Sequence, residues 1–190
     1  MKTIRVTIEG ISPLLLHRFS DKSAEQATAG STANFAAQDR GTPREQAAQS
    51  LYLTEDGKCV MPGPNLYRAF IDAGVFTKIG KRQLTSKATS LIPTGMWVDD
   101  VVIEIISAEP WRVDARPVRI PSTGGRIIRY RPCFDTWRMT FTIRFDESVF
   151  NERLIREIVD NAGAKIGLGD FRPACKGPFG RFKVVSWEIE

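Results

Sequence analysis

Residues 138–145 read Arg-Met-Thr-Phe-Thr-Ile-Arg-Phe, and this stretch decides the fold class. Its apolar residues at positions 139, 141, 143 and 145 alternate with arginine and threonine. A period of two is typical of a β-strand that buries one face. The pattern therefore predicts a strand whose polar face, with Arg138 and Arg144, is turned away from the core.

The segments on either side of this strand alternate between extended and helical patterns. The predicted elements are strands at about 3–9, 101–106, 138–145 and 181–189 and helices at about 64–73 and 151–162. Pro64 and Gly74 mark the start and stop of the first helix, and Asn151 caps the second. The order β-α-β-β-α-β predicts an α+β fold of the ferredoxin-like (RRM-like) type, built on one antiparallel sheet.

The predicted topology places the first and third strands side by side, with both helices on one face. Arg5 and Thr7 of the first strand would then share the open face with Arg138 and Arg144. Thr140 and Thr142 lie between those two arginines and point the same way. The sequence therefore predicts an open sheet face that is basic and rich in hydroxyl groups.

Three insertions interrupt the single domain that is predicted for residues 1–190. Residues 20–50 are rich in Ala, Ser, Thr, Gln and Gly, which predicts a mobile segment with a short helix from Pro43. Residues 77–98 contain no acidic side chain and form a basic insertion that carries Lys78, Lys81, Arg82 and Lys87. Residues 108–136 predict a long arginine-rich hairpin insertion.

The positive charge of the chain is unevenly distributed. The 27 Lys and Arg exceed the 22 Asp and Glu, giving a net charge of +5, and much of the excess lies in the hairpin insertion. Guanidinium groups among aromatic rings suit single-stranded nucleic acid, because the charges follow phosphates while the rings stack on bases. A solvated hairpin with inward-packed rings is the alternative. The candidate contacts are Arg119, Arg126, Arg129 and Arg131 with Trp111, Tyr130 and Trp137.

A second candidate site is the glycine-rich segment Gly-Leu-Gly-Asp-Phe-Arg-Pro-Ala-Cys-Lys-Gly-Pro-Phe-Gly-Arg-Phe, residues 167–182. Glycines allow a ligand backbone to come close, and free N–H groups in such a loop bind anions. Interspersed cations would add contacts to phosphate. A tight turn with exposed charges is the alternative. The candidate residues are Gly167, Gly169, Arg172, Lys176, Gly177, Gly180 and Arg181.

This glycine-rich segment resembles the repeat-associated mysterious proteins (RAMPs) of CRISPR systems, in particular the Cas7-like backbone subunits. A second match is Val-Met-Pro-Gly-Pro-Asn-Leu, residues 60–66, which is similar to the segment that opens the first helix in that group. The resemblance implies a ferredoxin-like scaffold whose insertions grip a guide RNA. The end of the chain also looks like prophage-encoded proteins that would share this fold.

Catalytic candidates are weak. His17, the only histidine, follows an apolar run, and the resemblance to CRISPR endoribonucleases implies a general acid or base there. Asp21 and Asp39 lie where some backbone subunits carry a cleaving aspartate, but no motif supports them. The three cysteines lack a metal-ligand or disulfide spacing, so the sequence predicts no metal and no cofactor.

The expected function is therefore sequence-independent binding of single-stranded nucleic acid, RNA in preference to DNA, by copies assembled side by side or within a ribonucleoprotein. A metal-independent endoribonuclease using His17 and a phage structural or protein-interaction module are the alternatives. The amino-terminal residues show no signal peptide, and no apolar run reaches the ~20 residues that span a bilayer. The sequence predicts a cytoplasmic protein without a membrane partner.

Overall fold

The computed structural model describes residues 1–18, 41–119 and 124–190. The strands are β1 (Lys2–Gly10), β2 (Leu14–Leu15), β3 (Val60–Pro62), β4 (Lys78–Ile79), β5 (Arg82–Gln83), β6 (Met96–Val98), β7 (Val102–Glu104), β8 (Arg112–Arg119), β9 (Arg126–Phe134), β10 (Arg138–Phe145) and β11 (Phe182–Ile189). The α-helices are α1 (Pro43–Ala48), α2 (Gly63–Ala73) and α3 (Glu152–Asn161). Most of the predicted mobile insertion, residues 20–40 with Asp21 and Asp39, lies outside the described residues.

The largest sheet has the strand order β11-β1-β10-β6, and all its pairs are antiparallel. Strand β10 is the strand predicted from residues 138–145, and Val6 lies opposite its Phe141. The apolar face of β1 and β10 is fully buried beneath α2 and α3, which contribute Phe70 and Ile158 to the same core. The predicted α+β class with an antiparallel sheet is confirmed.

The helices begin where the sequence indicates. The Asn151 side chain accepts a hydrogen bond from the Leu154 amide at 2.9 Å and so caps α3. The short helix expected from Pro43 is also present. Its cap is Thr42, whose side chain and backbone amide both bond Glu45, which satisfies amide groups that the first helical turn leaves free.

The predicted second strand is present as β7, but its predicted place in the large sheet is wrong. Strand β6, from the predicted basic insertion, forms the edge of the sheet beside β10, whereas β7 pairs with β3. After β6 the Asp100 carboxylate accepts a hydrogen bond from the Thr142 amide at 2.6 Å, and the chain leaves the sheet. Within the apolar run at 101–106, only Ile103 and Ile105 are buried in the core. Val101, by contrast, is 77 % exposed.

The predicted arginine-rich hairpin is present as β8 and β9, which form a second antiparallel sheet with β2. Leu15 of β2 pairs with Cys133 of β9, and both pack against Phe179 of the glycine-rich segment. This small apolar cluster fixes the base of the hairpin to that segment. Among the described helices, none is both long and apolar enough to cross a membrane.

Candidate nucleic-acid interface

The half of the β8–β9 hairpin that lies farther from β2 carries three exposed arginines. Arg119 lies directly opposite Arg126 in the register, and Arg129 lies opposite Arg116. Within the described residues, no carboxylate forms an ion pair with Arg119, Arg126 or Arg129. Like charges directly opposite each other destabilise a hairpin. This end of the hairpin is therefore strongly positive and suited to an anionic partner; we call these three residues the distal arginines.

The arginines nearer the base of the hairpin are engaged in structure. Arg112 donates two hydrogen bonds, of 2.6 and 2.8 Å, to the Asp135 carboxylate. This pairing raises the pKa of Arg112 and lowers that of Asp135. Arg116 bonds Asp114 at 2.8 Å, and its guanidinium lies over the Phe179 ring. Both carboxylates of the hairpin base are thus already neutralised by neighbouring arginines.

Two of the predicted contacts are wrong, because their side chains point inward. Trp137 is only 2 % exposed, and its indole N–H donates to the Ser12 carbonyl oxygen at 2.8 Å, so its ring cannot stack on a base. Arg131 is also buried, with Nε 2.6 Å from Asp170 Oδ2. Alternation within a hairpin does not indicate which face is covered, and here the covered face meets the glycine-rich segment.

The other two aromatic candidates are half-buried. The guanidinium of Arg44, on α1, lies 4.1 Å from the centre of the Trp111 ring. Strand pairing places Tyr130 opposite Ala115, on the same side as the pair Arg119 and Arg126. Tyr130 thus remains a candidate for stacking beside the distal arginines, whereas Trp111 already has a cation on its face.

The glycines of the glycine-rich segment let the chain pack closely against itself. Gly180 has φ +71°, and a Cβ there would lie 1.9 Å from the Leu168 carbonyl oxygen. At Gly169 a Cβ would lie 2.2 Å from the Leu15 carbonyl oxygen, and at Gly177 it would lie 1.8 Å from the Phe171 carbonyl oxygen. Gly167 also has a positive φ, of +73°. The structure therefore explains these glycines by internal packing and not by the approach of a ligand.

The cations of the glycine-rich segment differ in what they contact. Arg172 donates to the Gly169 carbonyl oxygen at 3.0 Å, and Arg181 donates to the Ala164 carbonyl oxygen. Lys176 is exposed in the left-handed region with φ +62°, next to the exposed thiol of Cys175. Both arginines retain further N–H donors, so all three cations can still meet an anion.

The open face of the large sheet is hydroxyl-rich, as predicted, but its charge is compensated. The Thr7 and Thr140 hydroxyls are hydrogen-bonded at 3.0 Å. Arg138 bonds Glu9 at 2.7 Å, and Arg144 bonds Asp99 at 2.6 Å. The remaining arginine, Arg5, lies opposite Glu188 of β11. The prediction of a basic face is therefore corrected, because each of its arginines has a carboxylate beside it.

The lysine-bearing insertion lies elsewhere in the fold. Its tip is the small hairpin of β4 and β5, which follows α2. Lys78, Lys81, Arg82 and Lys87 are all exposed, as expected for a solvated loop or an anion-binding patch. Lys165, which follows α3, lies over the exposed ring of Phe76 at 4.7 Å and adds a further cation there.

His17 has a partner that sequence reasoning missed. Its Nδ1 lies 3.3 Å from Asp170 Oδ2, which also lies beside Arg131. Neither Arg131 Nε nor Asp170 Oδ2 has a well-aligned hydrogen bond in the described part of the chain, so the contact between Arg131 and Asp170 is mainly a charge pair. His17, and then the charge of Arg131 and the amide of Phe171, outweigh partial burial and hold the pKa of Asp170 below its usual value.

A cavity of about 250 Å³ opens beside this charge cluster. His17, Asp170 and Arg172 line one side, and Tyr52 and Asn65 lie among the other lining residues. In the chain as described, no three His, Cys, Asp or Glu side chains are placed to hold a metal ion. The lining of the cavity combines apolar side chains with a phenol, a carboxamide, an imidazole, the Asp170 carboxylate and the guanidinium groups of Arg68 and Arg172.

Comparison with known proteins yields matches among solved structures only. No protein-family model matches the chain, and no curated protein matches it in sequence. A chain in the cryo-EM structure of the type III-B Cmr-beta bound to cognate target RNA matches with a TM-score of 0.51 and 12 % identity. The two chains share a fold. The match covers 99 % of this chain and 60 % of the other, so this chain spans about 60 % of the length of its structural neighbour.

Asp170→Asn should reduce stability in a pH-dependent way. Because the folded pKa of Asp170 is lowered from 3.8, its carboxylate stabilises the fold above that pH, and this contribution is lost as the pH falls through the folded pKa. Urea unfolding should therefore show a large difference between wild type and variant at neutral pH and a small one in acid. Asp160→Asn, at an exposed i,i+4 pair, is the control with little effect. A difference that does not vary with pH would contradict the charged role of Asp170.

Proposed function

We propose that the chain binds single-stranded nucleic acid, RNA in preference to DNA, mainly through phosphate contacts that do not depend on sequence. The distal arginines carry this proposal, because all three are exposed near one end of the hairpin, Arg119 and Arg126 on one face and Arg129 on the other, and have no carboxylate partner among the described residues. Phosphate groups would relieve the repulsion between Arg119 and Arg126. Lys176 and the lysine-bearing hairpin supply further cations.

We also propose that the fold is ferredoxin-like and that the chain is a single-domain, cytoplasmic relative of the Cas7-like RAMP proteins, of CRISPR or prophage origin. The strand order β11-β1-β10-β6 with two helices on one face supports this assignment. The structural neighbour is a chain in a structure of the type III-B Cmr-beta bound to cognate target RNA, which supports an RNA ligand and a ribonucleoprotein setting. Copies of the chain would then bind side by side along one strand.

Fluorescence anisotropy with labelled oligonucleotides tests the binding function. RNA, single-stranded DNA and duplex of about 20 nucleotides, longer than the ~4–16 nucleotides of a typical binding site, would be compared across a salt series. We expect the RNA strand to bind tightest and all affinities to fall steeply with salt, because phosphate contacts release counterions. A protein that binds none of these strands would instead be assigned to protein–protein interaction.

The contact between His17 and Asp170 favours a second function, metal-independent cleavage of RNA. A carboxylate that orients an imidazole is what a general base requires, and the 3.3 Å separation in the free protein is compatible with that role. Incubation of labelled RNA in the presence of a chelator would reveal cleavage. Activity that survives His17→Ala would exclude this function for His17, and an uncleaved strand would leave binding alone.

A further inference from the structure

The cavity beside His17 has two chemically different walls. The backbone carbonyl oxygen of Tyr52 accepts a hydrogen bond from the Val60 amide at 2.9 Å, and the Asn65 side-chain nitrogen lies 3.9 Å from Met61 Sδ, so the segments that carry Tyr52 and Asn65 adjoin β3 and supply one wall of the cavity. The opposite wall consists of Gly167–Asp170 with Arg172 and His17. The first wall thus offers an aromatic side chain, a carboxamide and Arg68, whose Nε already pairs with Asp72 at 2.9 Å, and the other offers the Arg172 guanidinium and the His17 imidazole.

The cationic wall is suited to a phosphate. Among the described residues Asp170 is the only carboxylate that lines the cavity, and the Arg131 guanidinium beside it offsets its charge. Arg172 uses one Nη to bond the Gly169 carbonyl oxygen and keeps its other donors. Among the described residues, the Gly169 amide has no backbone hydrogen-bond partner. An anion here would meet the guanidinium and the imidazole.

The opposite wall is suited to a planar, polar-edged group. Leu16, Met61 and Leu168 make the interior partly apolar, which disfavours a bare inorganic ion. Asn65 is exposed, and its weak contact with Met61 leaves its carboxamide oxygen and nitrogen available within the described chain. A carboxamide presents one donor and one acceptor side by side, which matches N6 and N7 of adenine.

The size of the cavity limits what it can take. Its 250 Å³ is slightly below the ~300–1,000 Å³ of pockets for drug-sized ligands. The cavity therefore cannot hold two stacked nucleotides, and at most one can enter it. A nucleotide has the planar base and the phosphate that the two walls require.

We propose that this cavity holds one unstacked nucleotide of the bound strand, with its base against Tyr52 and Asn65 and its phosphate between His17 and Arg172, and that it prefers adenine. This rests on the proposed function, and adds one position of base recognition to binding that is otherwise independent of sequence. Extruding a base costs least in a strand that is already single.

Calorimetric titration of the whole chain with AMP, GMP, CMP, UMP, adenosine and inorganic phosphate tests the cavity directly. AMP should bind at least about fivefold tighter than the other nucleotides. Asn65→Ala should remove this preference. Arg172→Ala should lower the affinity for AMP at least about tenfold and leave the affinity for adenosine unchanged. Arg153→Ala, an exposed arginine of α3, is the matched control and should bind AMP like wild type.

The outcomes separate the two proposals. Saturable AMP binding that Asn65→Ala weakens supports the cavity, even if Arg172→Ala proves unstable. Failure to bind AMP in a protein that binds oligonucleotides overturns the cavity alone, as does equal affinity of wild type and Asn65→Ala for AMP. AMP binding without oligonucleotide binding contradicts strand binding alone. On a uridine strand with one adenine, wild type should gain affinity over a uniform strand, and Asn65→Ala should not.

Discussion

Gly180→Ala should destabilise the protein by at least about 3 kcal/mol, or prevent folding, although it adds only one methyl group. The new Cβ would lie 1.9 Å from the Leu168 carbonyl oxygen, 2.8 Å from its carbon and 2.9 Å from the Leu168 nitrogen. These are backbone atoms, held by the 2.9 Å hydrogen bond from the Leu168 amide to the Gly180 carbonyl oxygen, so they cannot move aside cheaply. Urea unfolding measures the loss.

Gly80→Ala separates this clash from the cost of the backbone conformation. Gly80 also has a positive φ, of +59°, but a Cβ there meets no atom within 4 Å. The free energy of unfolding of its alanine variant should therefore fall by only ~1–2 kcal/mol, which is the cost of placing a residue with a Cβ in the left-handed conformation. Equal losses in the two variants would show that conformation alone explains the glycines. Because Gly180 variants act on folding, they cannot serve as tests of nucleic-acid binding.

Replacing the distal arginines together by alanine should flatten the salt dependence of binding. Each lost phosphate contact reduces the slope of log affinity against log salt by roughly 0.7 on a single strand, so three lost contacts reduce it by about 2. The folded state should tolerate the change, since Arg119, Arg126 and Arg129 are exposed and form no ion pair with the described residues. Anisotropy titrations at several salt concentrations measure the slope.

The matched control is the triple alanine variant of Arg138, Arg144 and Arg156. It removes the same formal charge, but each of these arginines pairs with a carboxylate. Its salt slope should stay close to that of wild type. If both triple variants change the slope equally, overall charge governs binding. If the distal variant keeps the wild-type slope, the hairpin does not contact the strand and would be reassigned to protein contact.

The strength of each local pattern decided how much of the fold could be predicted. The alternation in β10 and the caps of α2 and α3 depend on neighbouring residues, so the sequence alone indicated them. The edge strand β6 is three residues long and lies in a segment without regular pattern. Its place beside β10 depends on hydrogen bonds to residues about 45 positions away. A longer apolar run at 101–106 was therefore assigned to the sheet instead.

The sequence predicted which charged residues belong to the candidate site, but not which of them are exposed and which are paired with each other. Composition indicated a basic hairpin, but Arg129 and Arg131 lie on the same face of β9, and they differ because Asp170 contacts that face only at Arg131, nearer the base. The contact between His17 and Asp170 joins residues 153 positions apart, so spacing could not reveal it. One feature of the sequence could have indicated that Asp170 has a cationic or imidazole partner, because it is the only acidic residue of the glycine-rich segment.

Strand β1 finds both of its partners, β10 and β11, beyond residue 137. On the ribosome, at about 5–20 residues per second, the roughly 130 residues that separate β1 from β10 take on the order of ten seconds to synthesise. During that time Ile4, Val6 and Ile8, which are fully buried in the finished fold, have no strand to cover them. Throughout that time β1 is an apolar strand without a partner, which exposes the nascent chain to aggregation and makes β1 a segment that holding chaperones would bind.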